Sequence, residues 1–313
     1  MKHAARIRIC FLTFLLCLIC EAVAAERPNL ARSLTTLGYE SVELRHTGEN
    51  RLFLFARING RKRSCLVDSG WSFAAISTNT AARLAKSNTL GRLELGAVSF
   101  TNEPVAVQDL RINGQPASFD LVLGCDFLLS HHAILDCANR RLYLRRTAPS
   151  IQETTARETI LSNSVRTPVM LKLLSPPALT VTAQLNGHDI QLLVDSGAVF
   201  SCLDTKIARQ INLRLTASPN QISGAVTRER KSFDIGNVKS FAIAGREIQD
   251  VSLAVLSLAD WGIGPDGKMF SEVSGVLGGS ELIASGAVVD FNSQKIWVQQ
   301  SVPPASRFPT HAK

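Results

Sequence analysis

The sequence LVDSG at residues 66–70 recurs letter for letter at residues 193–197, an offset of 127. The correspondence continues upstream, where Asn59-Gly60 falls on Asn186-Gly187, and downstream, where Phe73 falls on Phe200. An agreement of this length indicates an internal duplication in which each copy ends a strand in the same acidic turn.

A second pair of similar segments follows at a different offset. LVLGCDFLLSHHAILDCANRRLYLR spans residues 121–145, and GVLGGSELIASGAVVDFNSQKIWVQ spans residues 275–299, an offset of 154. The second copy therefore carries 27 more residues between its landmarks than the first copy does. The repeat predicts a first lobe at residues 26–145 and a second lobe at residues 167–300. Residues 146–166 form the linker between them, and residues 301–313 form a C-terminal tail.

Alternating apolar and polar residues predict β-strands in both lobes. RLFLFARING (51–60) and ALTVTAQLNG (178–187) each end in Asn-Gly, which is the strongest short hairpin signal. Helix is expected only in short pieces, such as the segments that follow the acidic turns. The linker, rich in Thr, Ser and Glu and without hydrophobic periodicity, is expected to be irregular. The sequence therefore predicts an all-β fold.

Composition excludes several classes of protein. The chain has 313 residues, of which 45% are hydrophobic, enough to bury a core in each of two lobes. The formal net charge of +8 is scattered along the chain. Basic patches such as Arg61-Lys62-Arg63 have no interleaved aromatic residues, so they indicate solvated turns and no nucleic-acid partner.

Residues 1–25 have the pattern of a targeting segment. Lys2, Arg6 and Arg8 precede the apolar run ICFLTFLLCLIC, and the small-residue pattern Ala22-Val23-Ala24 follows it. This order is typical of a secretory signal peptide, and an uncleaved anchor is the rival interpretation. No later segment is long and apolar enough to span a bilayer. We expect a secreted or periplasmic protein with no transmembrane span after signal removal.

Beyond the signal segment the chain has four cysteines: Cys65, Cys125, Cys137 and Cys202. In an oxidising compartment they could form up to two disulfides, but each lies in an apolar run where a free thiol packs as a small hydrophobe. The sequence leaves both possibilities open. Cys125, His131, His132 and Cys137 match no common zinc spacing, so we expect no metal or other cofactor.

The two acidic turns are the candidate catalytic centre. Asp68 and Asp195 each follow apolar residues at a strand end, where desolvation raises the pKa of a carboxyl group. Two such carboxyls that face each other can share one proton, because like charges ~3 Å apart cannot both ionise. The pair then supplies a base that activates water and an acid that protonates the departing nitrogen.

The neighbours of the acids have supporting roles in this hypothesis. The hydroxyls of Ser69 and Ser196 are expected to hydrogen-bond across the lobe interface and hold the two turns together. Gly70 and Gly197 lack a Cβ atom, which allows backbone N–H groups to approach the carboxylates.

At these motifs the chain resembles the retropepsin-like aspartic peptidases, specifically the bacterial aspartyl proteases of that superfamily. The resemblance rests on LVDSG, on the helix after it, and on the later elements LVLG and GVLG. It implies two tandem acid-protease (retropepsin-like) β-barrel lobes that form a pseudo-dimer, with Asp68 and Asp195 as catalytic acids. It also implies that each glycine element packs behind a catalytic loop.

The resemblance further implies a β-hairpin flap over the substrate. NQISGAVTRERKSFDIG (220–236) has room for a flap, with Gly224 at its tip and Ile222 and Val226 beside it as substrate contacts. The first half runs almost directly from its helix into LGRLELG, so no flap is expected there. Trp71, where the family usually has alanine, is expected at the substrate pocket.

The sequence therefore predicts an exported aspartic endopeptidase that acts on peptide or protein substrates as a monomer. The alternative is a catalytically inactive module that binds peptides or proteins of the cell envelope. The bulk of Trp71 and the missing flap in the first half favour the alternative. The chain also departs from the family pattern in a flap without an obvious aromatic residue and in Gly279-Ser280-Glu281 in place of Cys125-Asp126-Phe127, and none of these departures touches the two acids.

Overall fold

The computed structural model describes residues 29–46, 50–84, 88–112, 115–164, 166–222, 231–248, 251–264 and 269–299. The expected signal peptide, the tail at 301–313 and the flap residues Gly224 and Val226 lie outside these ranges. Strands make up 47% of the described residues and helices are few, so the predicted all-β fold is confirmed.

Three sheets carry the described fold, and strands are numbered in chain order. The first-lobe sheet contains β2 (Arg45–His46), β3 (Leu52–Ile58), β4 (Arg61–Val67), β5 (Ala75–Ser77), β6 (Thr89–Leu95), β7 (Val98–Pro104), β8 (Ala106–Gln108) and β11 (Leu121–Leu123). The second-lobe sheet contains β15 (Lys172–Leu174), β16 (Ala178–Leu185), β17 (His188–Val194), β18 (Cys202–Asp204), β19 (Leu215–Ile222), β20 (Lys231–Asn237), β21 (Phe241–Ile243), β22 (Arg246–Glu247), β23 (Ser252–Leu256) and β24 (Gly275–Leu277). The basal sheet contains β1 (Glu40–Glu43), β12 (Ile134–Asp136), β13 (Arg141–Leu144), β14 (Arg166–Met170), β25 (Val288–Asp290) and β26 (Lys295–Gln299).

The remaining elements are short. A small ribbon pairs β9 (Arg111–Ile112) with β10 (Gln115–Pro116). The helices are α1 (Leu30–Thr35), α2 (Thr78–Leu84), α3 (Cys125–Ser130), α4 (Ile151–Ser162), α5 (Thr205–Gln210), α6 (Gly279–Ala284) and a 3-10 turn (Leu258–Trp261).

Each lobe sheet is built around a hairpin that turns at Asn-Gly. Asn59 and Asn186 have φ of 48° and 50°, and Gly60 and Gly187 have φ of 80° and 82°. Positive φ at both central residues is typical of the type I′ turn, whose twist matches that of the flanking strands. The hairpins β3–β4 and β16–β17 therefore form where the sequence predicts them.

The two lobe sheets share a core topology. The order is β11-β4-β3-β6 in the first lobe and β24-β17-β16-β21 in the second. In both, the strand before the acidic turn pairs in parallel with the strand before the glycine element, so that Val67 lies opposite Leu123 and Val194 lies opposite Leu277. One arrangement therefore presents both acidic turns.

The lobes differ by one hairpin. In the second lobe β19 and β20 pair as an antiparallel hairpin between α5 and β21. In the first lobe α2 ends at Leu84 and β6 begins at Thr89, which leaves no length for an equivalent hairpin. The tip of the hairpin, residues 223–230, lies outside the described ranges.

The basal sheet joins the two lobes into one body. Its order is β1-β13-β12-β25-β26-β14, three strands from each lobe. At its centre β12 and β25 are antiparallel, with Leu135 opposite Val289, and both residues are fully buried. Backbone hydrogen bonds therefore run continuously from one lobe to the other.

The expectation of an irregular linker at residues 146–166 is corrected by α4. Ser150 begins this helix with a capping box, in which its hydroxyl accepts from Glu153 N–H while the Glu153 carboxylate accepts from Ser150 N–H. The helix packs beside α1 and buries Leu161 in an apolar cluster that includes Trp297 of the basal sheet. Among its residues only Arg157 and Leu161 are buried, so the helix lacks the periodic apolar residues from which most helices are predicted.

The four described cysteines are free and buried. Burial raises the pKa of the Cys125 and Cys202 thiols to about 12, so these groups stay protonated at neutral pH. Within the described ranges no group of three or more His, Cys, Asp or Glu side chains is arranged to hold a metal ion. In the same ranges no helix is long and apolar enough to cross a bilayer.

An ion pair between the linker helix and the second lobe is fully buried. Arg157 Nε lies 2.9 Å from Asp290 Oδ2, and neither side chain is exposed. Arg157 Nη1 also donates to the Tyr39 hydroxyl at 2.9 Å. The guanidinium therefore connects α4 with residues from both lobes.

Replacing Arg157 with Met should destabilise the protein by about 3–5 kcal/mol, because the buried Asp290 carboxylate loses its counter-charge. Denaturant unfolding measures this loss. The exposed Arg146, just before α4, provides the control, and Arg146→Met should change the unfolding free energy by less than about 0.5 kcal/mol. Equal changes in unfolding free energy for the two substitutions would contradict a stabilising role for the buried ion pair.

Candidate active site

The acidic turns begin directly where two strands end. Asp68 follows β4 and Asp195 follows β17. The backbone N–H of Asp68 donates to Leu123 O at 3.1 Å, and that of Asp195 donates to Leu277 O at 3.0 Å. The parallel partner strand therefore fixes the backbone of each acid at the lobe interface.

Two serines hydrogen-bond the turns to each other across the interface. The Ser69 hydroxyl donates to Val194 O at 2.7 Å and accepts from Ser196 N–H at 3.0 Å. The Ser196 hydroxyl donates to Val67 O at 2.8 Å and accepts from Ser69 N–H at 3.1 Å. All four bonds are buried, so each turn satisfies polar groups that the other turn presents.

Each glycine lies against the aspartate of the opposite lobe. A Cβ atom on Gly70 would lie 2.3 Å from Asp195 Cγ, and one on Gly197 would lie 2.2 Å from Asp68 Oδ2. No side chain fits these spaces. The N–H groups of Gly70 and Trp71 donate to Asp68 Oδ1, and those of Gly197 and Ala198 donate to Asp195 Oδ1.

The carboxyl groups of Asp68 and Asp195 hydrogen-bond to each other. Burial, and then the negative charge of Asp195, raise the pKa of Asp68 well above its usual range. Burial also raises the pKa of Asp195, but the hydrogen bond with Asp68 and the N–H groups of Ala198 and Gly197 oppose that rise. The two acids therefore titrate as a coupled pair whose pKa values are both raised by burial, and the positive charge of Arg51 opposes that rise on the Asp195 side.

Arg51 is a member of this site that the sequence analysis missed. Its Nε donates to Gly197 O at 3.1 Å, from the first lobe to the acidic turn of the second. Its positive charge lowers the pKa of Asp195 relative to the effect of burial alone. The repeat offset places the uncharged Ala178 at the equivalent position of the second lobe. The sequence signal for this role was the presence of a charged residue at a position where the other copy of the repeat has an uncharged one.

The glycine elements pack directly behind the acidic turns. A Cβ atom on Gly124 would lie 2.5 Å from Phe73 C, and one on Gly278 would lie 2.4 Å from Phe200 C. Cys125 N–H donates to Trp71 O at 2.7 Å, and Gly279 N–H donates to Ala198 O at 2.8 Å. Close backbone contact therefore supports both loops from behind.

Asp126 and Glu281 differ in residue type and position, but their carboxylates accept hydrogen bonds from equivalent loop residues. Asp126 accepts from Ala74 N–H at 2.7 Å, and Glu281 accepts from Ser201 N–H at 3.0 Å. Ala74 and Ser201 are equivalent at the offset of 127, although the two acids are displaced by one position in the other register. The second lobe thus supports the same loop residue with a carboxylate one residue later.

The predicted substrate contacts lie on two apolar clusters that flank the dyad. Trp71 is partly buried against the first-lobe cluster, which consists of Leu66, Ala75, Leu110, Phe119 and Val122. Ile222, at the end of β19, is partly buried against the second-lobe cluster, which includes Phe233, Leu256 and Val276 and also contacts Ala198. Gly224 and Val226 lie outside the described residues.

Substituting either serine with Ala should cost about 1–3 kcal/mol, because a buried N–H and a buried carbonyl both lose their partner. We expect Ser69→Ala and Ser196→Ala to have similar effects in denaturant unfolding. The exposed Ser118 supplies the control substitution Ser118→Ala. If Ser196→Ala lowered the free energy of unfolding no more than Ser118→Ala does, an interlobe role for these hydroxyls would be refuted.

Arg51→Gln should raise the pKa of Asp195, because the carboxylate loses a nearby positive charge. The dyad then loses its proton at higher pH, and any activity that needs the ionised acid should lose its acidic range. Carboxyl ¹³C NMR titration reads this pKa without requiring activity. Arg51→Lys should keep most of the effect, and the exposed Arg57 supplies the control Arg57→Gln. An unchanged titration in Arg51→Gln would disprove the assignment.

Comparison with known proteins gives one family match. Residues 181–262 match the model described as gag-polyprotein putative aspartyl protease. The matched segment includes the Asp195 turn and the β19–β20 hairpin, whereas the Asp68 turn precedes it. No protein of curated function matches the chain.

Among solved structures, the chain is similar to the crystal structure of Basic 7S globulin from soybean. The alignment has a TM-score of 0.46 and 10% sequence identity, and it covers 84% of this chain and 95% of the globulin chain. At this level of similarity it supports no statement about activity. The family match over residues 181–262 confirms the resemblance to retropepsin-like aspartyl proteases that the motifs predict.

Proposed function

We propose that this protein is an aspartic endopeptidase that hydrolyses peptide bonds with a water activated between Asp68 and Asp195. The observation that carries the proposal is the hydrogen-bonded pair of buried carboxyls with raised pKa values, one from each lobe. Perturbed carboxyl pairs of this kind are typical of catalytic sites.

The asymmetry of the pair assigns the roles of the two acids. Each carboxyl accepts from two N–H groups, but only Asp195 has the nearby positive charge of Arg51, so Asp195 acts as the base that removes a proton from water. Asp68 supplies its proton to the carbonyl oxygen as water attacks the carbon. In the second step Asp195 passes the proton it took from water to the leaving nitrogen, Asp68 takes a proton back from a hydroxyl of the tetrahedral centre, and the C–N bond breaks.

The substrate in this proposal is an extended peptide that lies between the two apolar clusters. The β19–β20 hairpin covers it from the second lobe, with Ile222 as a contact. The wall formed by Trp71 accepts an apolar side chain on the first-lobe side. An extended peptide offers backbone groups to strand edges and alternate side chains to pockets.

We also propose that the protein is exported and acts as a monomer. Residues 1–25 support export through their charged, apolar and small-residue regions in the order of a signal peptide. The two lobes of one chain supply both acids, so no second copy is required for the dyad.

The second candidate is an inactive module that binds peptides without cleaving them. The single hairpin and the bulk of Trp71 favour this function, because each changes the shape of the cleft and neither requires chemistry. Both candidates use the same surface, and they differ in what the dyad does to a bound peptide.

Purified protein beginning at residue 26 should cleave members of a mixed peptide library between acidic and neutral pH. Asp68→Asn and Asp195→Asn should each lower the rate by about 10²–10⁴-fold, because each removes a proton-transfer group. Mass spectrometry of the products measures the cleavage.

The exposed Asp189 on β17 provides a matched control, and Asp189→Asn should retain full activity. Identically prepared Asp195→Asn also excludes a contaminating protease. Wild-type protein that binds library peptides but cleaves none at any pH would reject the peptidase and support the binding module.

A further inference from the structure

A polar cavity of about 540 Å³ lies on the first lobe between β4, α2 and the segment that leads to β9. Neither acid of the dyad lines it. Arginines from three separate elements do: Arg63 of β4, Arg83 of α2 and Arg111 of β9. Residues distant in sequence thus bring three guanidinium groups to one concave surface.

The acids of the cavity leave this positive charge only partly compensated. Asp109 pairs with Arg111 at 2.7 Å. Asp120 accepts from the Thr80 hydroxyl at 2.6 Å and from the Ser64 N–H and hydroxyl at 3.1 Å each. In the part of the chain that the structure describes, Arg63 and Arg83 contact no carboxylate. The cavity therefore has an excess of positive charge.

One nitrogen in this cavity wall lacks a partner. Arg63 Nε is buried without a hydrogen-bond acceptor among the described residues, although Nη1 of the same side chain donates to Lys62 O at 3.2 Å. Arg63 as a whole is only partly buried and lines the cavity, so its guanidinium group can donate to an anion bound there.

We infer that this cavity binds a phosphate group, carried either by inorganic phosphate or by a small phosphomonoester. The planar guanidinium donates paired hydrogen bonds that match phosphate oxygens, which makes clustered arginines the usual recognition element for this anion. The cavity is larger than one phosphate ion, and Ser77 and Asn79 line it with a hydroxyl and an amide that suit a polar ester. The cavity shares Leu110 and Phe119 with the first-lobe apolar cluster, but neither acid of the dyad lines it.

Isothermal titration calorimetry on the full mature chain tests the inference with inorganic phosphate and with glycerol 3-phosphate at constant ionic strength. Saturable binding of either is expected, and the tighter ligand shows whether the free ion or the ester is preferred. Arg83→Gln and Arg63→Gln should each weaken binding by at least about tenfold, as expected for the loss of a charge-assisted hydrogen bond.

Arg83 is exposed, so its substitution keeps the test valid even if Arg63→Gln fails to fold. Arg57, exposed on neighbouring β3, does not line the cavity, and Arg57→Gln should bind like the wild type. Absence of saturable binding, or equal affinity of Arg83→Gln and wild type, would overturn the proposal.

Discussion

The structure depends on keeping two carboxyl groups together in one buried site. Desolvation and mutual repulsion both oppose this arrangement, so a frame that fixes the two turns must hold Asp68 and Asp195 in contact. The Ser69 and Ser196 hydroxyls supply that frame, since each donates across the interface and accepts across it. The glycine after each serine is required because the opposite carboxyl occupies the place of a Cβ atom.

The basal sheet makes such an interface possible. Hydrogen bonds between the turns alone would have to overcome the entropy of associating two lobes, but the pairing of β12 with β25 already joins them through main-chain bonds. Helix α4 adds a buried ion pair between Arg157 and Asp290, the residue that ends β25. The covalent connection between the lobes is therefore also a packed structural element.

The sequence predicts what repeats, and it fails where one copy has no counterpart. The acidic turns and the Asn-Gly hairpins follow from local patterns that occur in register, whereas the position of the β19–β20 hairpin was expected from the family resemblance and from the extra length of the second copy. Helix α4 was missed because its face buries an arginine where a helical period requires an apolar residue. Asp126 and Glu281 have the same role, but they do not align because Glu281 lies one position later in the repeat. The longer side chain of Glu281 compensates for that shift, which a comparison of residue types alone does not detect.

Two identical lobes would give the two acids equal environments, and neither would be selected as base. This chain breaks that equality at a few residues: Arg51 reaches the Asp195 turn while Ala178 occupies the equivalent position, and only the second lobe has the hairpin. Both differences fall on the side of Asp195. The charge of Arg51 and the additional hairpin therefore both distinguish the second acidic turn from the first, so divergence between the copies gives the two acids of a repeated motif different surroundings.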